Sequence, residues 1–412
     1  MKDQSRIQNP KSKIVIVGAG PAGASLAIRL AKENFDVVLI EREKFPRHKL
    51  CGEFISPECL VHFAELGVLD EMLKVGGDRI TETFFYAPNG KSVSVPSHWF
   101  NGDLNGALSI SRAEMDWKLL EKAKELGVEI LEETQVIGIL FDNDEVCGVK
   151  IRTKVGETQE ISADLTIDAT GRASVLASLA KKSKVQSPKS KVAEIQNPKS
   201  KIQNRLVGFK THLQNVNLAK GVCEIYFFRG GYGGLSFVEN NRANHCFLIR
   251  AEVVKEFAGD ADKILEKVIF QNTRAHETMQ NAEPIFDWLA VSVNGFGRKD
   301  LCPTKNLFTV GDAAAFIDPF TGSGMLMALE STEILARCVA ENVLLSDKIA
   351  EHYKFLHQQK FQKRLRVCSI MRGAAFVPNF AKIVINVLSL SKTAREILAR
   401  STRQTFLINK NK

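Results

Sequence analysis

Three glycines, Gly18, Gly20 and Gly23, and one acid, Glu41, are the first residues whose types and spacing point to chemistry. The glycines follow the β-branched run Ile14-Val15-Ile16-Val17 and precede a helix-like stretch from Ala24 to Lys32. Such an apolar run reads as a buried parallel strand. Glycines at these places let the chain turn tightly, bring its amides up to a pyrophosphate and pack helix on strand, with the phosphates on the helix N-terminus. A second strand-like run, Asp36 to Ile40, ends in Glu41, at about the twenty-residue offset where a carboxylate takes ribose hydroxyls. The glycine pattern alone is a weak signal, but its strand-helix-strand setting makes it a dinucleotide site.

A second constellation lies far down the chain. Leu307-Phe-Thr-Val310 runs into Gly311-Asp312, and Asp318-Pro-Phe-Thr-Gly322-Ser-Gly324 opens a helix. A nicotinamide site needs one compact unit, whereas FAD held along its length draws contacts from distant segments, so the pairing favours a tightly bound FAD. Asp312 is placed to accept from ribityl or pyrophosphate-adjacent hydroxyls. Gly322 and Gly324 aim amides and a helix dipole at the flavin N1 and C2 carbonyl, where negative charge develops on reduction.

The elements that must position these residues divide a chain of 412 residues into more than one domain. The formal charge of +9 is concentrated in residues 1–13 (+3), 181–205 (+7) and 373–412 (+6), which leaves the rest at −7. The folded body is therefore mildly acidic, which argues against nucleic acid as a partner. Eight cysteines show no Cys-x-x-Cys pair or His partner at ligand spacing, so no metal site and no disulfide framework is expected, in keeping with a reducing cytoplasm. Ile14 to Ala31 has the look of a signal-peptide core behind Lys13, but a phosphate loop explains its glycines better, and no spanning helix is expected.

Ile7-Gln-Asn-Pro-Lys-Ser-Lys-Ile14 recurs as Ile195 to Ile202, and Val185 to Val192 is a near copy. Segments this rich in Lys, Ser and Pro cannot bury enough to fold, so residues 1–12 read as a disordered leader and 181–205 as a disordered insert. Between them, Pro57 to Leu66 and Ala113 to Leu126 read as helices. Thr81 to Tyr86 and Lys91 to Val95 read as a hairpin. Val128 to Leu131, Gln135 to Asp142 and Glu145 to Thr153 read as a meander, followed by a strand from Ile161 to Asp168. Beyond the insert, Arg205 to His212, Gly221 to Phe228, Gly234 to Val238 and His245 to Ala251 read as antiparallel strands. Lys263 to Thr273 reads as a helix and Asp287 to Val293 as a strand. Long helices follow from Met325 to Leu345 and from Ser346 to Arg372, the latter with His352 and His357 expected to face solvent.

The trio Gly18-Ala-Gly-Pro-Ala-Gly23, Asp168-Ala-Thr-Gly171 and Gly311-Asp312-Ala-Ala-Ala-Phe-Ile-Asp-Pro-Phe-Thr-Gly322 resembles the FAD-dependent superfamily of aromatic hydroxylases (group A monooxygenases), flavin halogenases and geranylgeranyl reductases. Lys49-Leu-Cys51-Gly52-Glu53 and Gly230-Gly-Tyr232-Gly233 resemble the geranylgeranyl reductase branch, in which the Cys-Gly loop lies by the flavin and the Gly-Tyr-Gly segment precedes a strand by the substrate cavity. The resemblance implies an α/β fold of the hydroxylase type, a Rossmann-like FAD domain interleaved with an antiparallel β-sheet substrate domain and followed by a helical C-terminus. The expected boundaries are 13–75 with 104–180 and 300–345 for the FAD domain, 76–103 with 206–299 for the substrate domain, and 346–412 for the C-terminal region. The expected cofactor residues are Gly18, Gly20, Ala22, Gly23, Glu41, Arg42, Cys51, Gly52, Arg112, Val136, Gly171, Gly311, Asp312, Gly322 and Gly324, with Cys51 and Tyr232 as catalytic candidates.

Asp168-Ala-Thr-Gly stands where the hydroxylases usually show Gly-Ala-Asp-Gly, so Asp168 is expected to hold its turn. Gly234-Leu235-Ser236 replaces the usual aromatic or Pro after Gly-Tyr-Gly, and the Trp-x-Trp-x-x-Pro pattern of the halogenases is missing. The implied activity is FAD-dependent reduction of a C=C bond in a hydrophobic, isoprenoid-type substrate by hydride from flavin N5, with NAD(P)H as electron donor and Cys51 or a water supplying the proton. The alternative is a monooxygenase that hydroxylates a hydrophobic or aromatic substrate through a flavin hydroperoxide. Residues 373–412, with Phe376, Val377, Phe380, Ile383, Val384, Val387 and Leu388 among cations, read either as a basic segment at a membrane surface or as a helix pair packed on the substrate domain.

Overall fold

The computed structural model describes residues 12–100, 106–185, 205–342, 345–375 and 380–401. Residues 1–11 of the expected leader, 186–204 of the expected insert, and Phe376 and Val377 lie outside the described residues.

In chain order, β1 (Lys13–Val17), α1 (Pro21–Lys32) and β2 (Asp36–Ile40) form the opening βαβ unit, and α2 spans Pro57–Leu66. A hairpin of β3 (Glu82–Tyr86) and β4 (Ser92–Pro96) precedes α3 (Arg112–Glu125) and β5 (Glu129–Leu131). Next come β6 (Thr134–Asp142), β7 (Glu145–Thr153), β8 (Thr158–Ser162), β9 (Leu165–Asp168) and α4 (Val175–Val185). Then follow β10 (Leu206–Gln214), β11 (Val222–Phe228), β12 (Gly231–Phe237), β13 (Ala243–Arg250), β14 (Leu289–Val293) and β15 (Leu307–Thr309). Four helices close the described chain: α5 (Gly324–Asn342), α6 (Ser346–Ala375), α7 (Phe380–Ser389) and α8 (Lys392–Ser401).

The first sheet is parallel, ordered β15-β9-β1-β2-β5. Its central strand is buried on both faces because its side chains alternate between two cores. Ile14 and Ile16 pack with α1 residues Leu26 and Leu30, while Val15 and Val17 pack with Val136, Val149 and Leu176. Each such buried side chain contributes about 1.5–3 kcal/mol. Helix α1 starts behind Gly20 with Pro21 at its first position and ends with Arg29 and Lys32 in its last turn, both favourable for the helix dipole.

The second sheet has eight strands, with β10, β13, β12, β11, β3 and β4 adjacent in that order and β14 on β10. It is antiparallel except where β11 meets β3. The architecture is the expected one, a parallel sheet of Rossmann type interleaved with a larger β layer and followed by a helical C-terminus.

Several local expectations are corrected. Glu129–Leu131 joins the parallel sheet beside β2 rather than the meander. The strand expected over Ile161 to Asp168 breaks at Ala163-Asp164. Its first part edges the meander and its second pairs with β1, because Asp164 turns its carboxylate to the Lys13 amide at 2.8 Å. The helix expected over Lys263 to Thr273 is two short helices, Ala261–Lys267 and Thr273–Met279. Asn272 divides them: its amide nitrogen donates to the Tyr86, Ala87 and Phe227 carbonyls, and its oxygen caps the second helix at the Ala275 amide. Helix α4 runs through Lys181 to Val185, five residues into the segment expected to lack structure.

His357 is buried, not solvent-facing. It lies on a four-residue stripe with Ile349, Tyr353 and Phe361 that α6 turns toward α5, and burial, with Arg298 nearby, pulls its pKa down to about 3. The terminal pair α7 and α8 packs on β4, where the Arg395 guanidinium donates to the Ser94 carbonyl at 3.1 Å, while Val387, Leu390 and Ile397 stay exposed. Among the described residues no helix is long and apolar enough to cross a membrane.

Candidate functional site

A cavity of about 1260 Å³ opens where the carboxyl ends of β1, β2, β9 and β15 face the large sheet. Ligands of open α/β sheets bind at strand carboxyl ends. The volume exceeds the roughly 300–1,000 Å³ of ordinary small-ligand pockets, leaving room for a cofactor and a second ligand.

The three glycines do different work. A Cβ on Gly23 would lie 1.8 Å from the Gly18 carbonyl oxygen, and Gly18, at φ +102°, would bring one 2.5 Å from the Ala169 carbonyl. Both are demanded by close backbone approach. At Gly20 a Cβ would meet only an Arg112 nitrogen at 3.8 Å, because this residue borders the cavity. Gly20 and Ala22 line the cavity at the N-terminus of the twelve-residue α1, which no side chain caps. Open amides at a positive helix end are the donor set a pyrophosphate requires.

Glu41 lines the same end, but its carboxylate also organises the loop. It accepts from the amides of Ala19 (3.0 Å), Arg42 (3.0 Å) and Glu43 (3.1 Å), with Arg47 at 3.5 Å. The exposed Arg42 pairs with Glu43 at 3.2 Å. Val136 contributes apolar wall, and Gly171 lines the cavity at φ +71°. Asp168 is engaged within its own turn, accepting from the Thr170 amide and hydroxyl and from the Ala177 amide at the start of α4.

At the other end of the cradle, Gly322 and Gly324 line the cavity where the nineteen-residue α5 begins. Gly311, at φ +59°, leaves room for Ala22 and donates its amide to Ser331 at 3.0 Å. Asp312 faces the cavity, and burial pushes its carboxyl up to about 6 against the pull of Arg172, Lys299 and Arg112. A carboxyl raised in the folded state contributes stability that is full below the unfolded value near pH 4 and is lost as pH rises through about 6. Flavin-free Asp312→Asn is therefore expected to be more stable than the parent at pH 8 by up to about 2 kcal/mol, the gap closing as pH falls below 6. Urea titrations across that range would contradict the assignment if the gap were constant.

Arg112, at the first turn of α3, grips Asp116 with two bonds of 2.8 and 2.7 Å, and Arg47 adds a third at 2.9 Å. Arg112, which the family resemblance singled out, lines the cavity; Asp116 and Arg47 were missed, although the four-residue step from Arg112 to Asp116 is a readable helical pair. Arg172 and Lys299, the cations facing Asp312, were also missed.

Cys51 and Gly52 line the cavity beside this cluster, and a Cβ on Gly52 would meet nothing within 4 Å. Beyond them the wall turns apolar, with Phe85, Phe227 and Leu248 from the large sheet, Phe316 and Phe320 from the segment that leads into α5, and Ile385 and Leu388 from α7. Tyr232 lines this chamber from within β12, so the Gly-Tyr-Gly segment forms part of a strand instead of preceding one. Its hydroxyl donates to Asp318 at 2.8 Å, and burial with that carboxylate raises its pKa well above the ordinary phenol value. The hydrogen bond to Asp318 fixes the Tyr232 ring in the chamber wall. No group of three His, Cys, Asp or Glu among the described residues is placed to hold a metal ion.

The residues present fit FAD. They provide a bare helix end for the pyrophosphate, a carboxylate at each end of the cradle, a second helix start for the ring, and a glycine whose missing Cβ keeps the space open. The sequence profile of a family described as "FAD binding domain" matches residues 11–345. Digeranylgeranylglycerophospholipid reductase 2 of Methanopyrus kandleri is 26% identical over 93% of this chain and 91% of its own length. Squalene epoxidase 1 of Arabidopsis thaliana is 26% identical over 81% of this chain and 60% of its own. The crystal structure of a geranylgeranyl bacteriochlorophyll reductase-like protein from Thermoplasma acidophilum superposes with a TM-score of 0.76 at 18% identity, covering 96% of this chain and 97% of that one.

Proposed function

This chain belongs to the FAD-binding-domain family, an FAD-dependent oxidoreductase by descent, and on that premise we propose that it reduces a C=C bond of a hydrophobic, isoprenoid-type substrate, with electrons from NAD(P)H. The observation that carries the proposal is the apolar chamber that continues the cofactor cradle past Cys51 and is roofed by α7. A polar substrate would leave its groups unpaired against Phe85, Phe227, Phe316 and Ile385, whereas a branched hydrocarbon chain is stabilised there by burial. The reductase of Methanopyrus kandleri, whose name specifies a digeranylgeranyl lipid, supports the same substrate class.

When bound, FAD supplies hydride transfer at N5. The protein's own residues do the rest. The amides at the start of α1 would hold its pyrophosphate, Glu41 and Asp312 would accept from its hydroxyls, and the amides at the start of α5 would stabilise negative charge on its ring. The aromatic wall excludes water from the reacting carbons. Cys51, on the wall between cradle and chamber, holds the proton that a C=C reduction requires beside the hydride.

Protein reduced without oxygen by NADPH and mixed with geranylgeranyl diphosphate is expected to return a product carrying added hydrogen and no added oxygen, read by mass spectrometry. A product formed only when oxygen is admitted, and carrying an oxygen atom, would overturn the reductase proposal in favour of the monooxygenase chemistry that the likeness to a squalene epoxidase also supports.

A further inference from the structure

Glu53 follows the Cys51-Gly52 loop in a left-handed conformation, φ +54°, which non-glycine residues adopt uncommonly. Its carboxylate is fully buried and is gripped from two sides of the molecule. One oxygen accepts from the Arg112 amide at 2.7 Å, at the start of α3, and from the Lys210 ammonium on β10; the other meets His212 Nε2 at 2.7 Å, also on β10. The Glu53 amide in turn donates to the Cys51 sulfur at 3.4 Å.

The rest of the loop is fastened to the same sheet. Lys210 also donates to the Lys49 carbonyl at 3.1 Å, and Asn244 on β13 donates to the Cys51 carbonyl at 3.2 Å. Leu50 fits where Gly208 has no side chain, since a Cβ there would sit 3.0 Å from a Leu50 methyl. Burial alone would raise the Glu53 pKa, but His212 and Lys210 outweigh it and hold the carboxyl below its ordinary range. An ionised carboxylate and an ammonium, both fully buried, therefore serve as each other's counter-charge.

We propose that Glu53 is a positioning residue that clamps the Cys51-Gly52 loop between the nucleotide-binding sheet layer and the large sheet, fixing the Cys51 thiol on the cavity wall, with Lys210 as the counter-charge the clamp requires. The role is independent of whether the site reduces or oxygenates its substrate, because it concerns where the loop stands. Glu53→Gln keeps the shape but leaves Lys210 charged against a neutral amide, and Lys210→Met leaves the carboxylate buried without its ammonium. The double variant removes both charges together.

Iodoacetamide labelling of the protein as purified, with each cysteine quantified by peptide mass spectrometry, reads the loop directly. Cys51 is expected to label roughly tenfold faster or more in either single variant, and to return to within about threefold of the parent rate in the double variant. The buried Cys59, Cys338 and Cys368 should keep their parental rates, since a merely structural role would expose them in step with Cys51. An unchanged Cys51 rate in Glu53→Gln, acceleration of all four cysteines together, or a double variant as fast as the two singles combined would each overturn the clamp. Should Glu53→Gln not fold, the Lys210→Met and double variants are read by the same criteria.

Discussion

Gly23→Ala is expected to yield a colourless protein, its visible flavin absorbance reduced at least tenfold, because the new Cβ would lie 1.8 Å from a backbone oxygen that no rotamer change can move. The loop must open to admit it, and opening carries Gly18 and Gly20 away from the helix end that binds pyrophosphate. Gly20→Ala provides the contrast. Its Cβ has only the tip of Arg112 within 4 Å, so the chain should fold with nearly its parental melting temperature while losing flavin, because the methyl occupies cofactor space. Full flavin occupancy in purified Gly23→Ala would refute this account of the phosphate loop.

Arg364→Leu should produce a large loss of stability at a distance from the glycine loop. Arg364 on α6 donates at 2.6 Å to Glu330 on α5, and both side chains are almost wholly buried. Burial raises the Glu330 pKa, but Arg364 and then Lys360, 3.2 Å away, outweigh it and leave it lowered. Removing the guanidinium strands a buried carboxylate at a cost of about 3–5 kcal/mol, toward the lower end because Lys360 remains. A lowered carboxyl contributes stability present above its unfolded value near 4.5 and lost as pH falls through the folded one, so the deficit should shrink in acid. Urea unfolding at pH 7 checks the magnitude, and a loss below about 1 kcal/mol would mean that the pair behaves like an exposed one. Glu330→Leu combined with Arg364→Leu should recover most of the loss, since neither charge is then stranded.

Much of the cofactor end was legible because it is local. The glycine spacing, the strand ending in Glu41, and the Gly311-Asp312 turn with Gly322 and Gly324 behind it are short-range patterns set by backbone approach and helix ends, and they meet around one cavity. Strand geometry puts Lys210 and His212, two residues apart on β10, on one face, yet their partner Glu53 lies 157 and 159 residues away, and no periodicity encodes such a pairing. His357 was misjudged because charge along α6 obscured the four-residue stripe of Ile349, Tyr353 and Phe361 on which it sits. The helix break at Asn272 was hidden for a similar reason, since three carbonyls from distant strands and loops, not local propensity, decide what that side chain does.

The fate of the cofactor's electrons tests the central proposal most directly. Protein reduced by NADPH in the strict absence of oxygen and mixed with geranylgeranyl diphosphate in a stopped-flow spectrometer should regain the oxidised flavin spectrum at a rate that rises and saturates with substrate concentration. A flavin that stays reduced until oxygen is admitted, whatever the isoprenoid concentration, would contradict the account.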